Sequence, residues 1–77
     1  MPEAFVLFKT QPAHEREVYL SLMEHSAVAE VHALYGEFDL VVRLSVDNSQ
    51  TLTKMLMADF RQIKGVKDTQ TLIAVEY

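Results

Sequence analysis

The sequence predicts a single α+β domain whose strands and helices follow the order β-α-β-β-α-β. Three observations lead to this prediction: 77 residues suffice for one core only, two helical apolar patterns are separated by a hairpin pattern, and an apolar strand pattern lies at each end. Two β-α-β halves of this kind form a four-stranded antiparallel sheet with both helices on one face. The predicted fold class is therefore ferredoxin-like.

The first half of the chain predicts one strand and one helix. The stretch EAFVLFKT (3–10) contains contiguous apolar, β-prone residues, which indicates a strand that is apolar on both faces. The stretch AHEREVYLSLMEH indicates a helix that begins at about Pro12 or Ala13, because Val18 and Leu22 lie one turn apart on the same face.

The middle of the chain predicts a hairpin. The stretch VAEVHALYGEFDLVVRLSV has a period of two on both sides of its glycine, so that Val31, Ala33 and Tyr35 alternate with Glu30, His32 and Leu34. Gly36 and Asp39 supply the residue types that tight turns use, which places the turn between the two strands.

The last part of the chain predicts the second helix and the final strand. The stretch DNSQTLTKMLMADFRQIKG carries an apolar stripe at helical spacing, formed by Leu52, Met55, Leu56, Phe60 and Ile63. Asn48 is one of three candidate N-caps for this helix, and Gly65 is its candidate C-terminal stop. DTQTLIAVEY (68–77) then predicts a strand that runs to the C-terminus.

One face of such a sheet is left bare by the helices. Apolar residues of the first, third and fourth strands fall on this face, mixed with Glu30, His32, Arg43 and Glu76. A contiguous apolar patch on a small domain is typical of an interface, and a domain of this size often gains stability by oligomerisation. We therefore predict a symmetric homodimer that packs sheet to sheet.

Charge and composition exclude several classes of function. The net charge is −4 and the seven basic residues are scattered, whereas binding to nucleic acid needs clustered Lys and Arg. No apolar run reaches the length of a membrane span, and the N-terminus lacks the features of a signal peptide. The absence of cysteine excludes disulfides and thiolate metal sites and is compatible with a cytoplasmic location, which we predict.

No complete metal or catalytic site is predicted. His14 and His25 are too far apart along a helix to share a metal, and Glu30 with His32 lacks further ligands. No serine lies in a glycine-rich elbow, and no nucleophile has an obvious base. The sequence therefore predicts no metal, no cofactor and no enzymatic activity.

Three stretches together resemble one known family: AFVLFKT at the start, VAEVHALYGEFDLVVRL in the middle and IKGVKDTQTLIAVEY at the end. The family has a Gly-x-x-Asp turn before an apolar strand, as at Gly36 and Asp39. Its closing pattern is Gly-Val followed by Thr-x-Thr, as at Gly65, Thr69 and Thr71. The chain resembles the RAM domain, the C-terminal effector domain of the Lrp/AsnC transcriptional regulators, over essentially its whole length.

The resemblance implies a domain organisation. Regulators of this family carry an N-terminal helix-turn-helix domain, whereas this sequence starts directly at the first strand. We therefore expect residues 1–77 to form a single stand-alone RAM domain, with no helix-turn-helix DNA-binding domain and no direct contact with operators.

The resemblance also implies a ligand and a site. Family members pair into dimers, often assemble into rings of dimers, and bind amino-acid effectors at subunit contacts near the Gly-x-x-Asp turn. Carried onto this sequence, the site consists of Gly36, Phe38, Asp39, Thr69 and Thr71. The residues alone leave open whether the turn is a plain turn capped by Asp39 or a binding site, because no arginine is obviously beside it to hold a ligand carboxylate.

Three hypotheses for function follow. The first is a non-enzymatic, amino-acid-sensing oligomer that modulates transcription indirectly, by co-assembly with full-length Lrp/AsnC regulators. The second is a small dimeric enzyme of the cofactor-free monooxygenase type, which would need His32 with Glu30 or Tyr35 inside an enclosed cavity. The third is an assembly partner that binds no ligand.

Overall fold

Residues 3–75 are described by the structure, which is a computed structural model. They form β1 (Glu3–Thr10), α1 (Glu15–Glu24), β2 (Val28–Ala33), β3 (Leu40–Ser45), α2 (Ser49–Ala58) and β4 (Val66–Ile73). A short 3₁₀ helix, Phe60–Gln62, lies between α2 and β4. The strand order across the sheet is β2-β3-β1-β4, and neighbouring strands are antiparallel. The predicted ferredoxin-like fold is confirmed.

Alternation along β1 separates the two faces of the sheet. Ala4, Val6, Phe8 and Thr10 are buried, and the residues between them are partly exposed. Val6 lies opposite Val42 of β3. Because directly opposed residues of antiparallel strands point to the same face, the register assigns Val42 and its alternate neighbours to the buried face as well.

Both helices and the 3₁₀ helix cover the buried face. α1 contributes Val18 and Leu22, as the helical spacing predicts, and α2 contributes Leu52. Phe60 of the 3₁₀ helix packs edge-on against Phe8, with ring centroids 5.8 Å apart. The other members of the predicted apolar stripe are partly buried against this core, namely Met55, Leu56 and Ile63.

Both predicted helix boundaries need correction. α1 begins at Glu15 rather than at Pro12 or Ala13, because Ala13 has a φ of 68°, which is incompatible with a right-handed helix. α2 ends at Ala58 rather than continuing to Gly65, and the tighter 3₁₀ turn that follows brings the next apolar residue into the core. Neither helix in the described part of the chain is long and apolar enough to cross a membrane.

The strands also differ in length from the prediction. β2 ends at Ala33, so Tyr35 does not continue its alternation but lies fully exposed in the turn. β4 begins at Val66, earlier than the predicted start, and ends at Ile73. The final two residues of the predicted strand lie outside the described residues. The predicted N-cap is confirmed, since Oδ1 of Asn48 accepts a hydrogen bond of 2.8 Å from a backbone N–H of the first turn of α2.

The bare face of the sheet combines an apolar patch with a charged cluster. The apolar side chains on this face, which we call the open face, are Phe5, Leu7, Val41 and Leu72. Beside them the Arg43 guanidinium donates to Glu3 (2.8 Å) and to Glu30 (3.0 Å). The hydrogen bond and the positive charge of Arg43 lower the pKa of Glu30 from its usual value. Glu76, which we also predicted here, lies outside the described residues.

Candidate functional site

Four chain segments meet at one end of the sheet. β1 ends there at Thr10, α1 begins there, the turn between β2 and β3 closes there, and β4 starts there at Val66. This follows from the alternating direction of successive elements, since each strand or helix runs back along the one before it. The predicted ligand residues of the turn and of early β4 therefore lie at the same end of the molecule.

The turn between β2 and β3 is closed by its own backbone. The N–H of Leu34 donates to the carbonyl of Asp39 at 2.8 Å. Gly36 has a φ of +115°, a conformation that residues with a Cβ rarely adopt, and a Cβ there would meet no other atom within 4 Å. Glycine is therefore required here for its backbone conformation and not for lack of space.

The side chain of Asp39 binds the end of β1. Its Oδ2 accepts one hydrogen bond from the backbone N–H of Thr10 (2.8 Å) and one from the Thr10 hydroxyl (3.0 Å). Its own backbone N–H donates to the carbonyl of Phe8 at 2.9 Å. The simple turn cap that the residue type suggests is thus replaced by a link between two strands, and Oδ1 makes no hydrogen bond to a described residue.

Phe38 and its neighbour in the turn are held by a lysine of β1. The Nζ atom of Lys9 lies 5.4 Å from the centroid of the Phe38 ring, within the range of a cation–π interaction. The same Nζ lies 3.7 Å from Oε1 of Glu37. Phe38 therefore contacts β1 and does not line a cavity with Asp39.

The two threonines of β4 lie on the buried face, one strand away from the turn. Thr69 is opposite Phe8, which in turn is opposite Leu40 of β3, and Thr71 is opposite the next buried residue of β1. Since adjacent strands are about 4.8 Å apart, Leu40 and Thr69 are separated by roughly 10 Å. Within one protomer, the five predicted ligand residues therefore do not converge on one pocket.

A groove of about 440 Å³ lies between α1 and the turn, and we call it the α1 groove. Its volume lies in the range of small-molecule sites. Of the five predicted ligand residues only Asp39 lines it. The complete lining consists of Glu15, Arg16, Tyr19, Ala33, Leu34, Asp39 and Leu40.

The α1 groove supplies the cation that the sequence did not indicate. Arg16 and Glu15 are exposed side chains of the first turn of α1, and neither forms an ion pair with another described residue. Across the groove, Asp39 offers a carboxylate, and Tyr19 and Leu34 supply apolar surface. The groove therefore places a guanidinium and carboxylates beside an apolar wall.

The order of the elements is the signal from which the position of Arg16 beside Asp39 can be predicted. In a β-α-β-β unit the start of the first helix and the turn of the following hairpin lie at the same end of the sheet. Arg16 precedes Asp39 by most of a helix and a strand, so proximity along the chain does not indicate it. Its position at the start of the first helix does indicate it once the order of the elements is known.

The predicted requirements of an enzyme around His32 are not met. His32 lies on the open face, its side chain is 63% exposed, and its Nε2 is 3.6 Å from Oε2 of Glu30. Neither residue lines the α1 groove, and Tyr35 is fully exposed. Within residues 3–75, no group of three or more His, Asp or Glu side chains could hold a metal ion.

The family of the chain follows from comparison with known proteins. A family model described as the Lrp/AsnC ligand binding domain matches residues 3–77. The chain belongs to this family. The HTH-type transcriptional regulator FL11 of Pyrococcus abyssi is 32% identical over 73 residues, which cover 95% of this chain and 48% of FL11. The chain spans about half the length of the curated relatives it matches.

Solved structures share the fold closely. FFRP-DM1 matches with a TM-score of 0.92 at 33% identity, over 97% of this chain and 100% of that chain. PHS023 of Pyrococcus horikoshii matches with a TM-score of 0.89 at 32% identity, over 100% and 93% of the two chains. The regulator NMB0573 of Neisseria meningitidis, solved in complex with L-Met, has a TM-score of 0.89 over 97% of this chain and 50% of its own. At 21% identity this last likeness shows the fold alone.

Proposed function

We propose that the chain is a non-enzymatic, amino-acid-binding regulatory module of the Lrp/AsnC type. The α1 groove carries this proposal, because it combines a guanidinium, carboxylates and an apolar wall in one place. Membership of a ligand-binding family supports it, and so does the name of FL11 as a transcriptional regulator. We place the module in the cytoplasm, because the curated relatives are transcriptional regulators and the sequence has no cysteines for an oxidising compartment to pair.

The groove is complementary to a free α-amino acid. Arg16 would hold the α-carboxylate through two parallel N–H donors. Glu15, or Oδ1 of Asp39, which makes no hydrogen bond within residues 3–75, would accept from the α-ammonium, and Tyr19 and Leu34 would contact the side chain. Each part of the ligand thus has a partner of matching charge or polarity within one groove.

Ligand binding at this place would couple several segments. The α1 groove joins the start of α1 to the turn, and Asp39 also holds the end of β1 through Thr10. A ligand that contacts both walls would restrain these segments relative to one another. If the assembly exists in more than one arrangement, the ligand would favour the arrangement in which the groove is best formed. The module would then regulate indirectly, by co-assembly with full-length regulators of its family.

The other predicted ligand residues would act from a neighbouring subunit. Gly36 and Phe38 lie on the outside of the turn, and Thr69 and Thr71 lie across β1 from it. They would reach an amino acid in the α1 groove only where a second subunit brings them to it. This agrees with the site at subunit contacts that the family resemblance implies.

Arg16→Gln is expected to weaken binding of the effector amino acid by about tenfold or more, because it removes charge-assisted hydrogen bonds worth about 1.5–3 kcal/mol. Calorimetric titration with a panel of free amino acids measures this. The unfolding free energy should not change, since Arg16 is exposed and has no ion-pair partner among the described residues.

The matched control for this experiment is Lys54→Gln, which removes the same charge from an exposed position of α2 outside the groove. It should leave the affinity unchanged. Asp39→Ala is a less suitable test, because it also removes two hydrogen bonds to Thr10. Binding by Arg16→Gln at the wild-type affinity, or no binding of any amino acid by the wild type, would contradict the proposal.

We also propose that the module dimerises through its open face. Four apolar side chains lie together there beside the Arg43 cluster, and the helices cover the opposite face. A single sheet with one face exposed gains stability when a second copy covers that face. Rings of such dimers, as implied by the family resemblance, would use further contacts.

Leu7→Glu is expected to raise the dissociation constant of this dimer by about thirtyfold or more, because it places an unpaired carboxylate in the centre of the interface. Sedimentation velocity over a range of protein concentrations measures the change. Leu20→Glu introduces the same charge on α1, where Leu20 is 50% exposed on the helical side, and should leave the dimer intact. Equal sedimentation of Leu7→Glu and the wild type would exclude the open face as the interface.

A further inference from the structure

A second depression, distinct from the α1 groove, lies where the 3₁₀ helix meets the start of β4. It measures about 280 Å³ and is lined by Arg61, Val66, Lys67, Asp68 and Thr69. We call it the β4 depression. It shares no lining residue with the α1 groove.

The fold concentrates positive charge at this place. The basic residues look scattered along the sequence, but the turn between the 3₁₀ helix and β4 brings Arg61 and Lys67 to the same depression. Neither of them forms an ion pair with another described residue, although the chain carries a net charge of −4. By contrast, Lys9 and Arg43 each have a carboxylate within 4.0 Å.

The lining groups are oriented by contacts that leave their charge available. Nη1 of Arg61 donates to the sulfur of Met57 at 3.2 Å, a neutral acceptor. Oδ1 of Asp68 accepts from the backbone N–H of Thr69 at 2.9 Å, so the single carboxylate of the depression is bound to the backbone. The two cations therefore exceed the single negative charge in the lining.

We propose that the β4 depression binds an oxyanion, namely the carboxylate or phosphate group of a small molecule, through Arg61 and Lys67. A guanidinium gives two parallel donors to such a group, and an ammonium adds a point charge. Thr69 lines the same depression, and its hydroxyl is a further donor of the kind that oxyanions accept. This inference does not depend on amino-acid binding in the α1 groove.

The experiment is a titration of uniformly ¹⁵N-labelled protein with inorganic phosphate and, separately, with acetate, at constant ionic strength maintained with chloride. We expect saturable shifts of the amide resonances of Lys67 and Thr69. Lys67→Gln and Arg61→Gln should each weaken the affinity by about fivefold, the effect of losing one exposed charge interaction. Lys54→Gln, which removes an equal charge elsewhere on the surface, should not change it.

The two ligands identify the preferred anion. Saturation by phosphate alone assigns the site to phosphate groups, and saturation by acetate alone assigns it to carboxylates. Linear shifts with both ligands, or equal weakening by Lys67→Gln and Lys54→Gln, would mean that only general charge screening is observed. Either of these results would overturn the proposal.

Discussion

Phe60→Ala should lower the free energy of unfolding by about 3–5 kcal/mol, the range for removing a buried phenylalanine. Phe60 is fully buried, its ring packs edge-on against Phe8 with centroids 5.8 Å apart, and the centroid of the His25 ring lies 5.0 Å from its own. Alanine would leave a cavity between a strand and the end of α1, which the neighbouring aromatic rings cannot fill without leaving their own contacts. Urea unfolding followed by circular dichroism measures the change.

The control for this prediction is Met57→Ala. Met57 is 54% exposed one turn before the 3₁₀ helix, so its truncation should cost well below about 1 kcal/mol. Both variants must be compared with the wild type at one protein concentration, because oligomerisation makes apparent stability depend on concentration. A loss of less than about 1 kcal/mol for Phe60→Ala would show that the 3₁₀ helix does not hold this side chain in the core.

Gly65→Ala is the second substitution with a large expected effect, a loss of about 2–4 kcal/mol. Gly65 has a φ of +99°, which costs a residue with a Cβ about 1–2 kcal/mol. In addition, a Cβ at this position would lie 2.8 Å from the Cβ of His14 and 3.1 Å from a methyl group of Val18. Overpacking of this kind costs about 1–3 kcal/mol, because α1 must move away from the sheet.

Gly36→Ala separates the two contributions. Gly36 also has a positive φ, of +115°, but a Cβ there meets no atom within 4 Å. It should therefore show only the conformational cost of about 1–2 kcal/mol. Equal losses for the two variants would mean that the contact between Gly65 and α1 is not tight. The same unfolding measurements, again at one protein concentration, decide between these results.

The elements of the fold were predictable because their signals are local. The period of two along Leu40–Ser45 and the spacing of Val18 and Leu22 each involve residues a few positions apart, and the structure buries one side of each element accordingly. The boundary of α2 was not predictable in this way. The apolar stripe continues through Phe60, and only the packing against Phe8 shows that a 3₁₀ turn, and not a further helical turn, delivers that ring to the core.

The candidate site was only partly predictable. The residue types at Gly36 and Asp39 predicted a turn, and the structure confirms that the backbone closes there. The role of Asp39 as a link to Thr10 joins positions 29 residues apart, which no local pattern can indicate. The placement of Arg16 in the same groove likewise depends on the path of the chain through α1 and β2.

The sequence by itself determined the order of the elements, the apolar faces of the sheet and helices, and the resemblance to the Lrp/AsnC effector domains. These properties follow from short-range periodicity and from residue types at particular spacings. The tertiary structure alone decided that Arg16 shares a groove with Asp39, and that Thr69 lies apart from both, beside Arg61 and Lys67. The physical reason is that strand order and register set the distances between side chains that are remote in sequence.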